Sequence, residues 1–385
     1  MHRIETTFAG RPLLLETGRL AKQAAGSVLA QFGETVVLAS VTVSSRESSL
    51  PFFRLTVEYR EKTYAAGKIP GGFLKREGRP SDDEILAARI IDRSIRPLFP
   101  EGFKNEVQVF VTVVSADQEH GADVLGALAA SAALAVSPIP FNGPIATVRV
   151  GRVEGKWILN PTFHQLEFSD LDVTVSGNGD SIGMVEGGSA EVSEADVIEA
   201  LKVAQKGIRE LRGHIETMVA KAGKPKMSWT RSEPDATLIK RVRELAEKDM
   251  SKAINHKDKA GRAGQVRSIR EAAAATIAVE FPDKIKDAEA ELDEIEYRVM
   301  RGQVLDKGER IDGRDLETVR PISIEAGLLP RVHGSTLFTR GETQALVAVT
   351  LGTADDEQRI DSINVAGEST KSFMLPYTSP PYSTG

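Results

Sequence analysis

The sequence predicts an α+β protein in which two related strand-rich cores flank an all-helical segment. Three observations carry this. Residues 1 to about 190 alternate short Val- and Thr-rich runs with helical patterns. From Asp235 to about Arg301, Pro282 excepted, the chain keeps mostly to Ala, Glu, Lys, Arg, Ile and Leu, with no strand-like alternation. Finally, "GSVLAQFGETVVLASVTV" (Gly26 to Val43) aligns without a gap on "GSTLFTRGETQALVAVTL" (Gly334 to Leu351), matching at nine of eighteen positions. "LLLETG" (Leu13 to Gly18) faces "ISIEAG" (Ile322 to Gly327) with one residue of slippage. A single long offset over a strand-turn-strand unit reads as a duplicated domain, not a short solenoid repeat. The expected domains are residues 1–222, 223–305 and 306–385.

In chain order, "TVVLASVTV", "FRLTVEY", "VQVFVTVV", "ATVRVG" and "LDVTVSG" read as strands, since β-branched residues alternate between turn signals. "SDDEILAARIIDRSIRPLF" (Ser81 to Phe99) reads as a helix: Ser81 and Glu84 form a capping box, and Asp82 and Asp83 suit its positive end. "ADVLGALAASAALAVS" is apolar almost all round and is expected to be buried. Asn178-Gly179 is expected at a hairpin turn. Ser193, with Asp196 three residues on, starts a helix to about Ala222, which Gly223 and Pro225 end. Turn and strand character returns at Gly308.

At 385 residues and 41% apolar content the chain is long enough for two or three cores. No apolar run approaches the length needed to span a membrane, and the first residues lack the apolar core of a secretory signal, so the expectation is a cytoplasmic protein. Cysteine is absent, which excludes disulfides and thiolate chemistry. The six His residues show no zinc spacing. A net charge of −6 announces no global basic field, but Arg60 to Arg79 carries six cations against Glu61 and Glu77. That run reads either as a solvated loop or as a phosphate-binding surface.

Within it lies "GKIPGGFLKREGRP" (Gly67 to Pro80), too rich in Gly and Pro for a strand or helix. It is not a phosphate-binding P-loop, because Ile69 follows the lysine where a Ser or Thr is required. "DQEHGAD" (Asp117 to Asp123) gathers three carboxylates and His120, suited to metal or acid-base work or simply to the helix start that follows. Arg89, Arg93 and Arg96, spaced four and three apart, share one side of a helix; they suit phosphate oxygens or neighbouring carboxylates such as Asp92 and Glu84.

The stretches "EKTYAAGKIPGGFLKREGRPSDDEILAARIIDRSIRPLFPEGFKNEVQV" and "PRVHGSTLFTRGETQALVAVTLGT" resemble the bacterial polynucleotide phosphorylase family, and the resemblance runs over essentially the whole chain. It implies two ribonuclease-PH-like cores around a helical domain, the second core incomplete at Gly385. It also implies a homotrimeric ring, a place in an RNA-degradation complex, and mRNA turnover by phosphorolysis: inorganic phosphate attacks the 3′-terminal linkage and releases a nucleoside diphosphate. By the same resemblance Phe73, Leu74, Lys75 and Arg76, with Arg79, line a pore for single-stranded RNA. Leu74 stands where the family has a second aromatic. Arg93 and Arg96 match the family's phosphate motif, and Arg89 joins them as a candidate.

The family's phosphate- and Mg2+-binding residues belong to the second core and fall past Gly385. "FMLPYTSPPYSTG" departs from the family pattern at Pro376, Thr378 and Ser379. The first core lacks the serines of an active core in "GADVLGAL", and keeps Asp170 and Asp172 but offers Thr174 in place of a lysine. The expectation is a non-catalytic core that binds RNA and a chain inactive alone. The alternative is an RNA-binding or structural scaffold without turnover.

Overall fold

The structure, a computed structural model, describes residues 1–48, 50, 52–71, 74–231, 235–360, 362–364 and 369–383. They fall into two units, Met1–Arg231 with Ala354–Gly385, and Ser232–Thr353.

In the first unit, β1 (His2–Phe8), β2 (Arg11–Thr17), β3 (Gly26–Phe32), β4 (Thr35–Glu47), β5 (Leu55–Glu61) and β6 (Asn105–Ser115) form a six-stranded sheet in the order β1-β2-β3-β4-β6-β5. Its neighbours are antiparallel except β5 and β6, which run parallel. A parallel pair cannot close through a tight turn, and α1 (Asp82–Ile95) is the crossover. The expected capping box is present: Ser81 Oγ accepts from Glu84 N, and Glu84 Oε2 accepts from Ser81 N at 2.7 Å. The α-helix ends at Ile95, earlier than the sequence pattern suggests, and Arg96–Leu98 tightens into a 3₁₀ turn. Pro97 lacks an N–H and its ring crowds the preceding turn.

Buried α2 (Ala122–Val136) packs on β3, β4 and β6 and also on β7 (Ala146–Val153) of a second sheet, which explains its apolar circumference. That sheet adds β8 (Lys156–Leu159), β9 (Leu171–Gly177) and β10 (Ile182–Ser189), in the order β10-β9-β7-β8, with the short α3 (Phe163–Glu167) between β8 and β9. The β9–β10 turn spans four residues rather than two, because Asn178 Oδ1 accepts from the N–H groups of Asp180 (3.0 Å) and Ser181 (2.8 Å). Lys226 secures the end of α2, its Nζ donating to the carbonyls of Leu134, Ala135 and Ser137 at 2.8–3.0 Å, and burial pushes its ammonium down to about 8. In α4 (Glu194–Ala222), Ala200, Ala204, Ile208, Leu211, Ile215 and Met218 recur at helical spacing and are buried, and the helix packs on β1, β7 and β9.

The second unit contains α5 (Ala236–Ile254), α6 (Lys259–Glu280) and α7 (Ile285–Lys307), with Pro282 in a 3₁₀ turn before α7. Leu238, Val242, Ala246, Met250, Ile277, Leu292 and Ile295 form their core. The sheet of β11 (Ile322–Ala326), β12 (Gly334–Arg340) and β13 (Thr343–Val349) follows. The remaining strands, β14 (Gln358–Ile360) and β15 (Ser369–Lys371), pair with each other and belong to the first unit, where Ile363 is buried in the core.

The repeat is structural. In β3–β4, Phe32 faces Thr35 and Gly26 faces Val41; in β12–β13, Arg340 faces Thr343 and Gly334 faces Val349. The turn glycines match, Gly33 at φ +60° and Gly341 at φ +61°. Each donates its N–H to the carbonyl of the corresponding proline, Gly33 to Pro12 at 3.2 Å and Gly341 to Pro321 at 2.9 Å.

Candidate nucleic-acid interface

The loop between β5 and α1 is held at its base and open at its tip. Glu77 accepts from Lys62 Nζ (2.5 Å), Thr63 N (3.0 Å) and Thr63 Oγ1 (3.2 Å), and the Lys62 bond in particular lowers its carboxyl below the usual range. Arg60 donates to the Gly78 carbonyl at 3.0 Å. Beyond these anchors Leu74, Lys75, Arg76 and Arg79 are exposed, Leu74 at 73%, and Lys75 sits in the left-handed region at φ +49°. Among the described residues no ion pair holds Lys75, Arg76 or Arg79. Phe73 lies outside the described residues. The arrangement presents three cations on a short pinned loop, suited to a polyanion.

Beneath the loop, Glu84 Oε1 accepts from Glu61 N at 2.8 Å, and Tyr59 donates to Glu61 at 3.1 Å. Burial pushes the Glu61 carboxyl up to about 7.

Of the three arginines of the stripe, Arg89 and Arg93 border one groove and Arg96 does not. Arg89 is exposed with no ion pair among the described residues, and borders a groove of about 670 Å³ with Arg60, Glu84, Asp92 and Arg93. Arg93 pairs with Glu186 of β10. Arg96, rotated away by the 3₁₀ turn, is bidentate to Asp92 at 2.5 and 2.6 Å and donates to the Leu55 carbonyl at 3.2 Å, which fastens the end of α1 to β5.

On the second sheet the carboxylates are already matched. Arg152 grips both oxygens of Asp170 at 2.6–3.1 Å and reaches Asp196 at 3.0 Å. Arg149 holds Asp123 at 2.7 Å and lies 3.4 Å from Asp172. The set suits a magnesium ion poorly: guanidiniums hold the oxygens of Asp170 and Asp123, Asp172 is half exposed with one oxygen 3.4 Å from Arg149, and Thr174 adds only a neutral hydroxyl. Arg149 and Arg152 had escaped the sequence reading. Two arginines in an otherwise apolar strand, "ATVRVGRV", were the available signal.

"DQEHGAD" serves the fold. Asp117 Oδ1 accepts from the N–H groups of Glu119 and His120 at 2.9 Å, and Oδ2 meets His120 Nδ1 at 2.7 Å. His120 Nε2 is buried without a partner among the described residues, and the ring lines a cavity of about 20 Å³, room for about one water.

The duplicated strand-turn-strand hairpin and the helical segment between its copies make this an α+β protein, and the matched family models give its class as ribonuclease-PH-like. The model described as "3' exoribonuclease family, domain 1" matches residues 9–140 and 318–385, just over half of the chain, and "3' exoribonuclease family, domain 2" matches 143–207. The chain belongs to this 3′ exoribonuclease family. Within it the resemblance is to polyribonucleotide nucleotidyltransferases, whose domain model described as "RNA binding domain" matches residues 237–315. A relative of that name from Gemmatimonas aurantiaca is 64% identical, covering 100% of this chain and 53% of the relative. Another from Geobacter sulfurreducens is 49% identical, covering 100% and 55%. The chain thus spans about half the length of the curated relatives it matches. A solved structure of an Archaeoglobus fulgidus exosome with RNA bound to the active site matches 52% of this chain and 87% of that chain, at 21% identity and a TM-score of 0.43.

Proposed function

We propose that the whole protein degrades single-stranded RNA from the 3′ end by phosphorolysis in mRNA turnover, and that the first core guides the RNA without performing the chemistry. In that reaction an oxygen of inorganic phosphate attacks the phosphorus of the terminal linkage. A new P–O bond forms and the bond to the 3′ oxygen of the preceding nucleotide breaks. That oxygen takes a proton, and a nucleoside diphosphate leaves. The proposal extends to a magnesium ion in the whole enzyme, a homotrimer, and a cytoplasmic place in RNA degradation, all implied by the family.

One contrast carries the reading. The cations at the loop tip lack counter-ions among the described residues, whereas Arg96, Arg149 and Arg152 are neutralised by Asp92, Asp123 and Asp170. Open cations attract a phosphate backbone; arginines committed to carboxylates cannot clamp an attacking phosphate and neutralise its charge.

The test incubates the purified chain with RNA, magnesium and phosphate, and separately titrates single-stranded RNA at several salt concentrations. The expected result is binding without nucleoside diphosphate release. Lys75→Ala with Arg76→Ala should lower the log-log salt slope by about 0.7 for each phosphate left unneutralised. Diphosphate release abolished by Arg93→Ala would overturn the non-catalytic assignment, and an unchanged slope would return the loop to a solvated surface.

A further inference from the structure

We infer that Glu61 is a pH-dependent latch on the loop between β5 and α1: once ionised, its carboxylate draws Arg76 and Arg79 inward and withdraws them from the RNA backbone. The inference rests on the proposed reading of that loop as an RNA contact. Glu61, Arg76 and Arg79 line one pocket of about 340 Å³, together with Ile363. Four pieces of chain meet there: the end of β5, the 3₁₀ turn Thr63–Ala66, the start of α1 and residues 362–364. Lys68 Nζ ties the last of these to the first core by donating to the Ser362 carbonyl at 2.7 Å.

Three carboxylates and three guanidiniums line the pocket, Glu61, Glu77 and Glu84 with Arg60, Arg76 and Arg79, and three of the six are already committed. Glu77 accepts from Lys62 and Thr63. Glu84 accepts from the N–H groups of Ser81 and Glu61 and lies 3.6 Å from Arg60, which in turn donates to the Gly78 carbonyl. Glu61 has no ion pair among the described residues; its partners are neutral, the Tyr59 hydroxyl at 3.1 Å and the Asn364 amide. Arg76 and Arg79 are exposed and also lack an ion pair among the described residues.

Burial lifts the Glu61 carboxyl to about 7, and the charges of Glu84 and Asp83 add to that rise against the hydrogen bonds from Tyr59 and Asn364. Protonated, Glu61 leaves both guanidiniums open to phosphate. Ionised, it becomes a partly buried charge beside two other carboxylates, and the uncommitted cations lining its pocket are those of the loop. A charge in such a place is costly unless it is paired, and a guanidinium can grip both of its oxygens. Proton and RNA therefore favour the same open loop. By linkage, raising the pH must weaken RNA binding, and RNA binding must take up protons.

The experiment measures binding of a labelled single-stranded oligoadenylate to the full chain from about pH 6 to about pH 8 at constant ionic strength. Titration calorimetry in two buffers of different ionisation enthalpy counts the protons exchanged. The expected result is affinity falling about fivefold or more across the range, with net proton uptake that is largest near pH 7. Glu61→Gln keeps an acceptor for Tyr59 but cannot ionise, so it should hold the low-pH affinity throughout and abolish the uptake. Flat affinity in the parent, or uptake that survives Glu61→Gln, overturns the inference and leaves the proposed function standing. Absence of RNA binding at every pH instead removes the loop reading and the inference with it. A second measurement needs neither RNA nor a folded Glu61→Gln: carboxyl NMR on chain carrying isotope-labelled glutamate. Arg76→Gln with Arg79→Gln should raise the pH at which Glu61 titrates, and a titration that does not move overturns the latch.

Discussion

The β3–β4 and β12–β13 hairpins share a register, a turn glycine and half of their residues, yet among the described residues the first is packed in a core and the second is largely uncovered. Val41 is fully buried, while its counterpart Val349 is 44% exposed. Along β13 every residue is exposed, whereas β4 alternates buried and partly buried positions from Thr35 to Val41. In the first copy α2 lies against β3 and β4. The hairpin is therefore written locally, in Gly-Glu-Thr and alternating apolar residues, while burial depends on a helix supplied some 90 residues further along the chain.

The largest test of that contrast puts a carboxylate at the same position of each copy. Val41→Asp should destabilise the first unit by about 4 kcal/mol or more, since it strands an unpaired charge in the core, and Val349→Asp should cost less than about 1 kcal/mol. Both tryptophans, Trp157 and Trp229, lie in the first unit, so their fluorescence during denaturant unfolding reads the effect of Val41→Asp, while amide hydrogen exchange in β12 and β13 of the second unit reads that of Val349→Asp. Equal shifts from the two substitutions would mean that the covering helix does not set the difference.

The same division between local and distant information decides what could be read from sequence. The Ser81–Glu84 capping box, the Ser193 cap, the buried α2 and the paired hairpins were legible because each is written within a few adjacent residues. The fate of the arginine stripe was only half legible. Asp92, four residues before Arg96, was a visible partner, but the Leu55 carbonyl and the Glu186 that pairs with Arg93 come from strands 41 and 93 residues away in sequence. The local charge count from Arg60 to Arg79 was right in sum, yet it could not show that Glu77 is consumed by Lys62 and Thr63 while Lys75, Arg76 and Arg79 have no ion pair among the described residues. Phe73, the aromatic on which stacking would rest, falls outside the described residues.

The turns offer a smaller contrast, read by pH. In the first copy Asp117 braces the turn: its Oδ2 lies 3.4 Å from Glu34 N. Burial opposes its ionisation, but hydrogen bonds from His120 and from the backbone of Glu119 and His120 outweigh this and hold the carboxyl at about 2. A carboxyl depressed in the folded state contributes stability above its ordinary value near 4, and that contribution fades as pH falls through about 2. Asp117→Asn should therefore cost about 2 kcal/mol at pH 7, with the gap to the parent closing below pH 4. The second copy has instead the exposed Lys259–Glu342 pair, so Glu342→Gln should change stability by less than about 0.5 kcal/mol at any pH. A pH-independent cost for Asp117→Asn would show that shape, not charge, makes Asp117 matter.

The finest distinction concerns the glycines themselves. Both occupy the left-handed region, so alanine at either should meet the same backbone strain of about 1 kcal/mol. What the new methyl group meets differs. At Gly33 it would stand 2.9 Å from Asp117 Oδ2, an atom fixed by His120 and unable to retreat without losing that bond. At Gly341 it would stand 2.8 Å from Arg320 Cδ, part of a flexible side chain that is half exposed and paired to Asp312 only at 3.4 Å. Gly33→Ala should thus cost about 1 kcal/mol more than Gly341→Ala. Amide hydrogen exchange at the two turns measures each opening separately, with Gly33→Ala accelerating exchange in β3 and β4 more than Gly341→Ala does in β12 and β13. Equal acceleration would mean that Asp117 yields as easily as Arg320, and that its bracing role is weaker than its hydrogen bonds suggest.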